Sequence, residues 1–245
     1  MKVLLLAGTT EATDLARLLA ASPDVDVTVS FAGRTSVAAK LDCRVRVGGF
    51  GGVDGLVAEI RGEGYDVVVD ATHPFAAQMP WHAAAAASAA GIPRVRLLRP
   101  PWLPGPGDAW HDVTDLAAAA RELRKLDAHR VLLTTGRMEL APFVPLAGAG
   151  VGFVVRSIEP PKPQPIDGAT VILARPPFTV ADEIALLHEH QIDTVVTKNS
   201  GGTATAAKLT AARRVGLPVV MVARPPVPPG PCVATSEGAV AWLHS

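Results

Sequence analysis

Val3-Leu4-Leu5-Leu6-Ala7-Gly8-Thr9-Thr10-Glu11-Ala12 opens the chain on an apolar run, a glycine and then a helix-like stretch, Thr13 to Ala21. Strand, glycine turn, helix is how a nucleotide-binding α/β domain begins. The glycine lets the backbone approach a phosphate, and N–H groups at the helix start face the anion. The dinucleotide fingerprint is G-x-G-x-x-G. Only Gly8 of it is present, with Thr9 and Thr10 where further glycines would help. Taken alone, the turn fits a plain βα connection equally well.

The pattern continues outward from this stretch. Apolar, β-branched runs predict strands at 3–7, 25–31, 44–47, 66–70, 94–98, 130–134, 151–156, 170–174, 193–197 and 218–223. Alanine-rich stretches predict helices at 11–21, 53–63, 76–90, 115–126, 180–190, 202–215 and 237–244. Alternation of this kind implies parallel sheets with helices on both faces. Asp66-Val67-Val68-Val69-Asp70 and Val219-Val220-Met221-Val222 carry apolar residues on both sides, as strands covered by helices do. Thr179-Val-Ala-Asp182 offers a capping box.

A boundary is expected between about 100 and 130, where Arg99-Pro-Pro-Trp102-Leu-Pro-Gly-Pro-Gly107 breaks the pattern. After it, Val131-Leu132-Leu133-Thr134-Thr135-Gly136-Arg137 repeats the logic of Leu4 to Thr10. The expected fold is therefore α/β, with two Rossmann-like parallel-sheet domains, 1–127 and 128–245, facing a central cleft. Pro160 to Pro165 and Pro225 to Pro231 are expected as stiff loops.

Composition excludes several classes. Formal net charge is zero, so there is no broad electrostatic case for nucleic acid. Tyr65 is the single tyrosine, which also argues against a base-stacking surface. Cys43 and Cys232 have no partner at ligand spacing, so no metal site is expected and a reducing cytoplasm fits. Leu4 to Ala7 is too short to cross a bilayer, no basic segment followed by a cleavable apolar core precedes it, and no membrane association is expected. The alanine run 83–90 reads as a packed helix. No G-x-S-x-G, no G-x-x-x-x-G-K-[ST] and no lysine four residues after Tyr65 occur, which weakens the hydrolase, NTPase and short-chain dehydrogenase readings.

In doubly wound sheets ligands collect at the carboxyl ends of the strands. Polar residues gather there: Gly8-Thr9-Thr10-Glu11, then Ala32-Gly33-Arg34-Thr35-Ser36, Asp70-Ala71-Thr72-His73-Pro74-Phe75, Thr134-Thr135-Gly136-Arg137 and Thr197-Lys198-Asn199-Ser200-Gly201-Gly202. Where NAD enzymes place a carboxylate on the ribose, Arg34, Thr35 and Ser36 stand instead. A guanidinium beside hydroxyls suits the 2′-phosphate of NADPH. The plain alternative is a solvated surface arginine. His73 fits either a histidine bonded to its own loop or a residue that positions a nicotinamide. Lys198 to Gly202, with Lys208 and Arg213 on the following helix, fits an anion site that Arg137 joins, or a helix start with a solvated basic face.

These motifs together resemble the precorrin-6A reductase family of cobalamin biosynthesis, which includes the cobalt-precorrin-6A reductases. The resemblance rests on Gly8 to Ala12, Asp70 to Ala76, Arg96 with Arg99-Pro100 and Trp102, Thr135-Gly136-Arg137, Val155-Arg156, Thr197 to Gly202 and Ala207-Lys208-Leu209. The Asp-Ala-Thr-His-Pro run is also similar to a loop of dihydrodipicolinate reductases. The Thr-Lys-Asn-Ser-Gly-Gly run separates the two. Met79-Pro80-Trp81-His82 departs from the serine and small polar residue expected there.

The resemblance implies NADPH-dependent reduction of a double bond of the precorrin-6A tetrapyrrole to precorrin-6B. NADPH is expected over Gly8, Thr9, Thr10 and Glu11, with Arg34 and Ser36 on its 2′-phosphate and Thr72, His73 and Pro74 beside the nicotinamide. Arg137, Lys198, Asn199, Ser200, Gly201, Gly202, Lys208 and Arg213 are the candidate macrocycle ligands. His73 and Lys198 are the candidate catalytic residues. A monomer or small homo-oligomer is expected. Two rivals stay open: an NADPH reductase of a smaller imine or enone, and a non-catalytic NADP(H)- or tetrapyrrole-binding protein.

Overall fold

The computed structural model describes residues 1–32, 41–161 and 166–245. Arg34 and Ser36 lie outside the described residues. The chain forms two compact units, Met1–Pro100 with Pro225–Ser245, and Pro101–Arg224.

The first unit holds β1 (Lys2–Ala7), α1 (Thr10–Ala20), β2 (Asp26–Phe31), β3 (Arg44–Val47), α2 (Val53–Glu63), β4 (Val67–Ala71), α3 (Met79–Ala90) and β5 (Arg94–Leu97). The second holds β6 (Trp110–Val113), α4 (Leu116–Lys125), β7 (Arg130–Leu133), the short α5 (Val144–Ala147), β8 (Gly152–Ser157), β9 (Thr170–Leu173), α6 (Val180–Glu189), β10 (Thr194–Lys198), α7 (Ala207–Val215) and β11 (Val219–Val222). The chain then returns to the first unit with β12 (Cys232–Val233) and α8 (Ser236–Leu243).

Each unit has one six-stranded sheet, ordered β12-β5-β4-β1-β2-β3 and β6-β11-β10-β7-β8-β9. Every strand pair is parallel. Read from the other end, both are the doubly wound order 3-2-1-4-5-6. The sixth strands are exchanged. Chain order would give β6 to the first sheet and β12 to the second, but β6 pairs with β11 and β12 with β5. This corrects the expected division at 127/128. The Pro/Gly segment after Arg99 is the true crossing, and the last twenty or so residues complete the first sheet.

Local sequence accounts for the elements. In α1, Ala12, Leu15, Ala16 and Leu19 are buried at the spacing of one helix face. They pack on Val3, Leu5 and Ala7 of β1, alongside Ala239 of α8. Leu4, Leu6 and Val68 point the other way, onto Leu56 and Ile60 of α2 and Ala83, Ala86 and Ala87 of α3. Both sheet faces are thus covered, as the two-sided apolar strands require. Burying a leucine such as Leu15 contributes about 1.5–3 kcal/mol. The predicted cap at Thr179 is present: its hydroxyl oxygen accepts from Asp182 N at 3.1 Å. The predicted starts of α3 and α7 were too early, because 76–78 and 202–206 lie outside any helix. Among the described residues no helix is long and apolar enough to cross a membrane.

Candidate functional site

The order 3-2-1-4 reverses chain direction between β1 and β4 in the first unit and between β7 and β10 in the second. Loops diverge at such a switch point, and ligands bind there. Gly8 to Glu11 and Thr72 to Pro74 fall at the first, and Arg137 and Lys198 to Gly202 at the second.

In the first unit the β1–α1 turn lies against the loop after β4. A Cβ on Gly8 would stand 2.9 Å from the backbone N of His73 and 3.3 Å from Thr72 Cα. Only glycine permits that approach. Thr9 fastens the turn twice. Its hydroxyl donates to the Ala71 carbonyl at 3.3 Å and accepts from Ala12 N at 3.1 Å. The helix itself offers no partner to the N–H groups of Thr10 and Glu11, and these are the groups that favour an anion. Glu11 adds a carboxylate at this end, balanced by Arg99, whose Nη1 lies 2.7 Å from Glu11 Oε2. The Ser236 hydroxyl of α8 donates to the Glu11 carbonyl at 3.1 Å. A phosphate at this helix start would meet the N–H groups of Thr10 and Glu11, beside the Arg99 guanidinium that Glu11 already engages. The donor set fits a nucleotide cofactor.

The loop after β4 is set from beneath. Asp70 Oδ1 accepts from Thr72 N at 3.1 Å and from the Thr72 hydroxyl at 2.6 Å. Its other oxygen faces Arg96 Nη1 at 3.3 Å, both side chains being almost fully buried. His73 Nδ1 accepts from Phe75 N at 3.2 Å, which leaves the ring hydrogen of the neutral form on Nε2. His73 is thus bonded to its own loop and also borders Gly8.

In the second unit, Thr134 to Arg137 follows β7, Lys198 ends β10 and Asn199 to Gly202 follows it. Lys198 Nζ pairs with Glu139. Arg137 Nη1 lies 2.7 Å from Glu159 Oε2. Gly201 and Gly202 have φ of +68° and +79°, the left-handed region that favours glycine.

Three other candidates have partners within the unit. The Asn199 side chain is occupied by the Trp102 backbone: Oδ1 accepts from Trp102 N at 2.8 Å and Nδ2 donates to Trp102 O at 3.0 Å. Lys208 is 4% exposed. Its Nζ donates to Thr205 O at 2.6 Å and lies 4.6 Å from the centre of the Trp102 ring. Trp102 Nε1 in turn donates to Gly202 O at 2.8 Å. Asn199 and Lys208 therefore fix the segment that crosses into this unit. Arg213 lies five residues beyond Lys208, about 7.5 Å further along α7. It bonds Asp108 at 3.4 Å, away from the carboxyl edge.

Residue patterns alone missed Arg99, Glu139, Glu159 and Ser236, and gave no role to Asp70 or Arg96. Arg96 and Arg99 stand in the motifs that carry the resemblance. Nothing local marks the two glutamates or Ser236. Among the described residues no cluster of His, Cys, Asp and Glu could hold a metal ion.

The fold and these edges define a doubly wound α/β protein with two nucleotide-type switch points. A family model described as precorrin-6x reductase CbiJ/CobK matches residues 2–244. The chain belongs to that family. It is 49% identical over 243 residues to a precorrin-6A reductase of Rhodococcus erythropolis, covering 99% of this chain and 97% of that protein. It is 43% identical over 243 residues to a precorrin-6A reductase of Rhodobacter capsulatus, covering 99% and 95%. A solved structure, CobK precorrin-6A reductase, superposes with a TM-score of 0.91 at 42% identity, covering 100% of this chain and 96% of that one.

Proposed function

We propose that this chain reduces a double bond of the precorrin-6A macrocycle with NADPH, giving precorrin-6B, in cobalamin biosynthesis. Family membership over nearly the whole chain supports the reaction. The observation that supports the site is the gathering of Gly8 to Glu11 with Thr72 to Pro74 at the β1/β4 switch point, and of Arg137 with Lys198 to Gly202 at the β7/β10 one. The names of both relatives specify the compound without cobalt, which supports the cobalt-free substrate. The smaller-imine and carrier readings draw no support from the family match. Two unpaired cysteines, Cys43 and Cys232, agree with a cytoplasmic enzyme.

NADPH, when bound, supplies the hydride. In this reading Thr10 and Glu11 N–H groups and Arg99 hold its phosphates, Arg34 and Ser36 hold the 2′-phosphate, and Thr72, His73 and Pro74 border the nicotinamide. His73 acts by position, its ring fixed through Nδ1. Arg137, Lys198, Ser200, Gly201 and Gly202 hold the macrocycle by its carboxylates. Asn199 and Lys208 support that edge through Trp102, and Arg213 has no part in it.

Loss of the NADPH absorbance on adding precorrin-6A to the purified chain tests the proposal. Tight binding without oxidation would favour the carrier. Oxidation with a small imine alone would favour the first rival. Arg34→Ala should raise the KM for NADPH about 10- to 100-fold, the worth of a charge-assisted contact, and leave that for NADH unchanged. Equal losses would reject the phosphate assignment. Lys198→Ala should raise the KM for precorrin-6A about 10-fold or more with kcat nearly unchanged. A fall in kcat at constant KM would instead make Lys198 a participant in the chemical step.

A further inference from the structure

The tripeptide Arg137-Met138-Glu139 is held from both sides. Arg137 is paired with Glu159, and Glu139 with Lys198. Between the two, Met138 is 73% exposed. Two cations at the carboxyl edge of this sheet, Arg137 and Lys198, thus each carry a carboxylate of the chain itself.

These pairs differ from the interior one in the same unit. Arg156 and Glu183, 2.8 Å apart, are 6% and 1% exposed, and removing either would strand a buried charge. Glu139 is 57% exposed while Lys198 is 14% exposed. The cation is mostly covered and needs an anionic partner. The carboxylate stands largely in water and regains full hydration on leaving. Arg137 and Glu159 are 29% and 23% exposed, so both pairs reach solvent, unlike the interior one. Pairs open to solvent contribute less to stability than their Coulomb attraction suggests, so one carboxylate exchanges for another of similar geometry.

We propose that Glu139 and Glu159 occupy the places of two substrate carboxylates, and that binding exchanges them for acetate or propionate groups of the macrocycle. This rests on the reading of Arg137 and Lys198 as macrocycle ligands. No bond is made or broken; two internal ion pairs become two intermolecular ones. The exchange selects for ligands with several carboxylates. A single anion releases one pair, whereas a rim of carboxylates releases both and brings the apolar ring onto Met138. Glu139 and Glu159 are specificity-determining residues that compete with the substrate.

The test uses the whole chain and an octacarboxylate porphyrin, with its octamethyl ester as control. Binding is read by quenching of the four tryptophans. Glu139→Gln and Glu159→Gln should each tighten the porphyrin Kd about two- to five-fold, the span of an exposed pair. Lys198→Ala and Arg137→Ala should weaken it about 10-fold. The ester should respond to none of the four. With precorrin-6A, Glu139→Gln should lower KM at unchanged kcat. If the glutamine variants bind as wild type does or more weakly, while the cation variants still lose affinity, the exchange is wrong and the macrocycle edge survives. If acid and ester bind alike and Lys198→Ala changes nothing, the macrocycle reading itself falls, and the exchange with it.

Discussion

Arg96→Met will lower the melting temperature by roughly 10 °C, the consequence of losing about 3–5 kcal/mol from a broken buried pair in a chain of this size. Arg96 is 2% exposed and Asp70 0% exposed. Their contact is an ion pair at 3.3 Å, and Arg96 Nε and Nη2 have no hydrogen-bond partner among the described residues. Such a pair is costly to bury, and more costly to halve than to delete. Methionine keeps the apolar volume and leaves the Asp70 carboxylate without its cation. Asp70→Asn together with Arg96→Met should therefore recover more than half of the lost stability. Function should suffer separately. Asp70 holds both the N–H and the hydroxyl of Thr72, so a displaced Asp70 frees the loop that borders Gly8. The KM for NADPH should rise in the single variant and fall back in the double one. Thermal melting by circular dichroism, with NADPH titrations beside it, checks both. An unshifted melting curve for Arg96→Met would show that the pair constrains nothing.

How far the fold could be read from residues depended on whether the deciding interaction was local. The β1–Gly8–α1 unit was legible because an apolar run, a glycine and a one-sided helical pattern lie within about twenty residues of each other. The exchange of sixth strands was not. β12 is two residues long and follows a proline cluster. β6, Trp-His-Asp-Val, is a half-polar edge strand without a clear period. Neither carries the apolar signal of a central strand, and strand order is a tertiary property. The same divide runs through the site. Turn residues at strand ends were legible. The partners of their charges were not: Arg99 meets Glu11 across 88 positions, Lys198 meets Glu139 across 59, and Asn199 meets Trp102 across 97. Lys208 shows the consequence. On an isolated amphipathic helix a lysine reads as a solvated cation, and only the docked Trp102 ring makes it an interior one.

Gly8→Val should raise the KM for NADPH by about 10- to 100-fold and cost about 1–3 kcal/mol of stability, the usual range for overpacking. Even the Cβ of the new side chain would sit 2.9 Å from His73 N and 3.3 Å from Thr72 Cα. Both obstacles are backbone atoms, so no rotamer change relieves the clash. Either the β1–α1 turn or the Thr72–His73 loop must retreat. Thr9 resists the first movement through its bonds to Ala71 O and Ala12 N. Asp70 resists the second through Thr72. Strain therefore falls on the place where phosphate and nicotinamide are proposed to sit, and cofactor affinity should drop by more than the stability change alone predicts. Gly62→Ala is the matched control. Gly62 lies within α2, a Cβ there would have no neighbour within 4 Å, and helix propensity alone should add about 0.5–1 kcal/mol. A Gly8→Val enzyme that binds NADPH as wild type does, while its melting temperature falls, would mean that the close approach at Gly8 serves packing only and that the cofactor lies elsewhere.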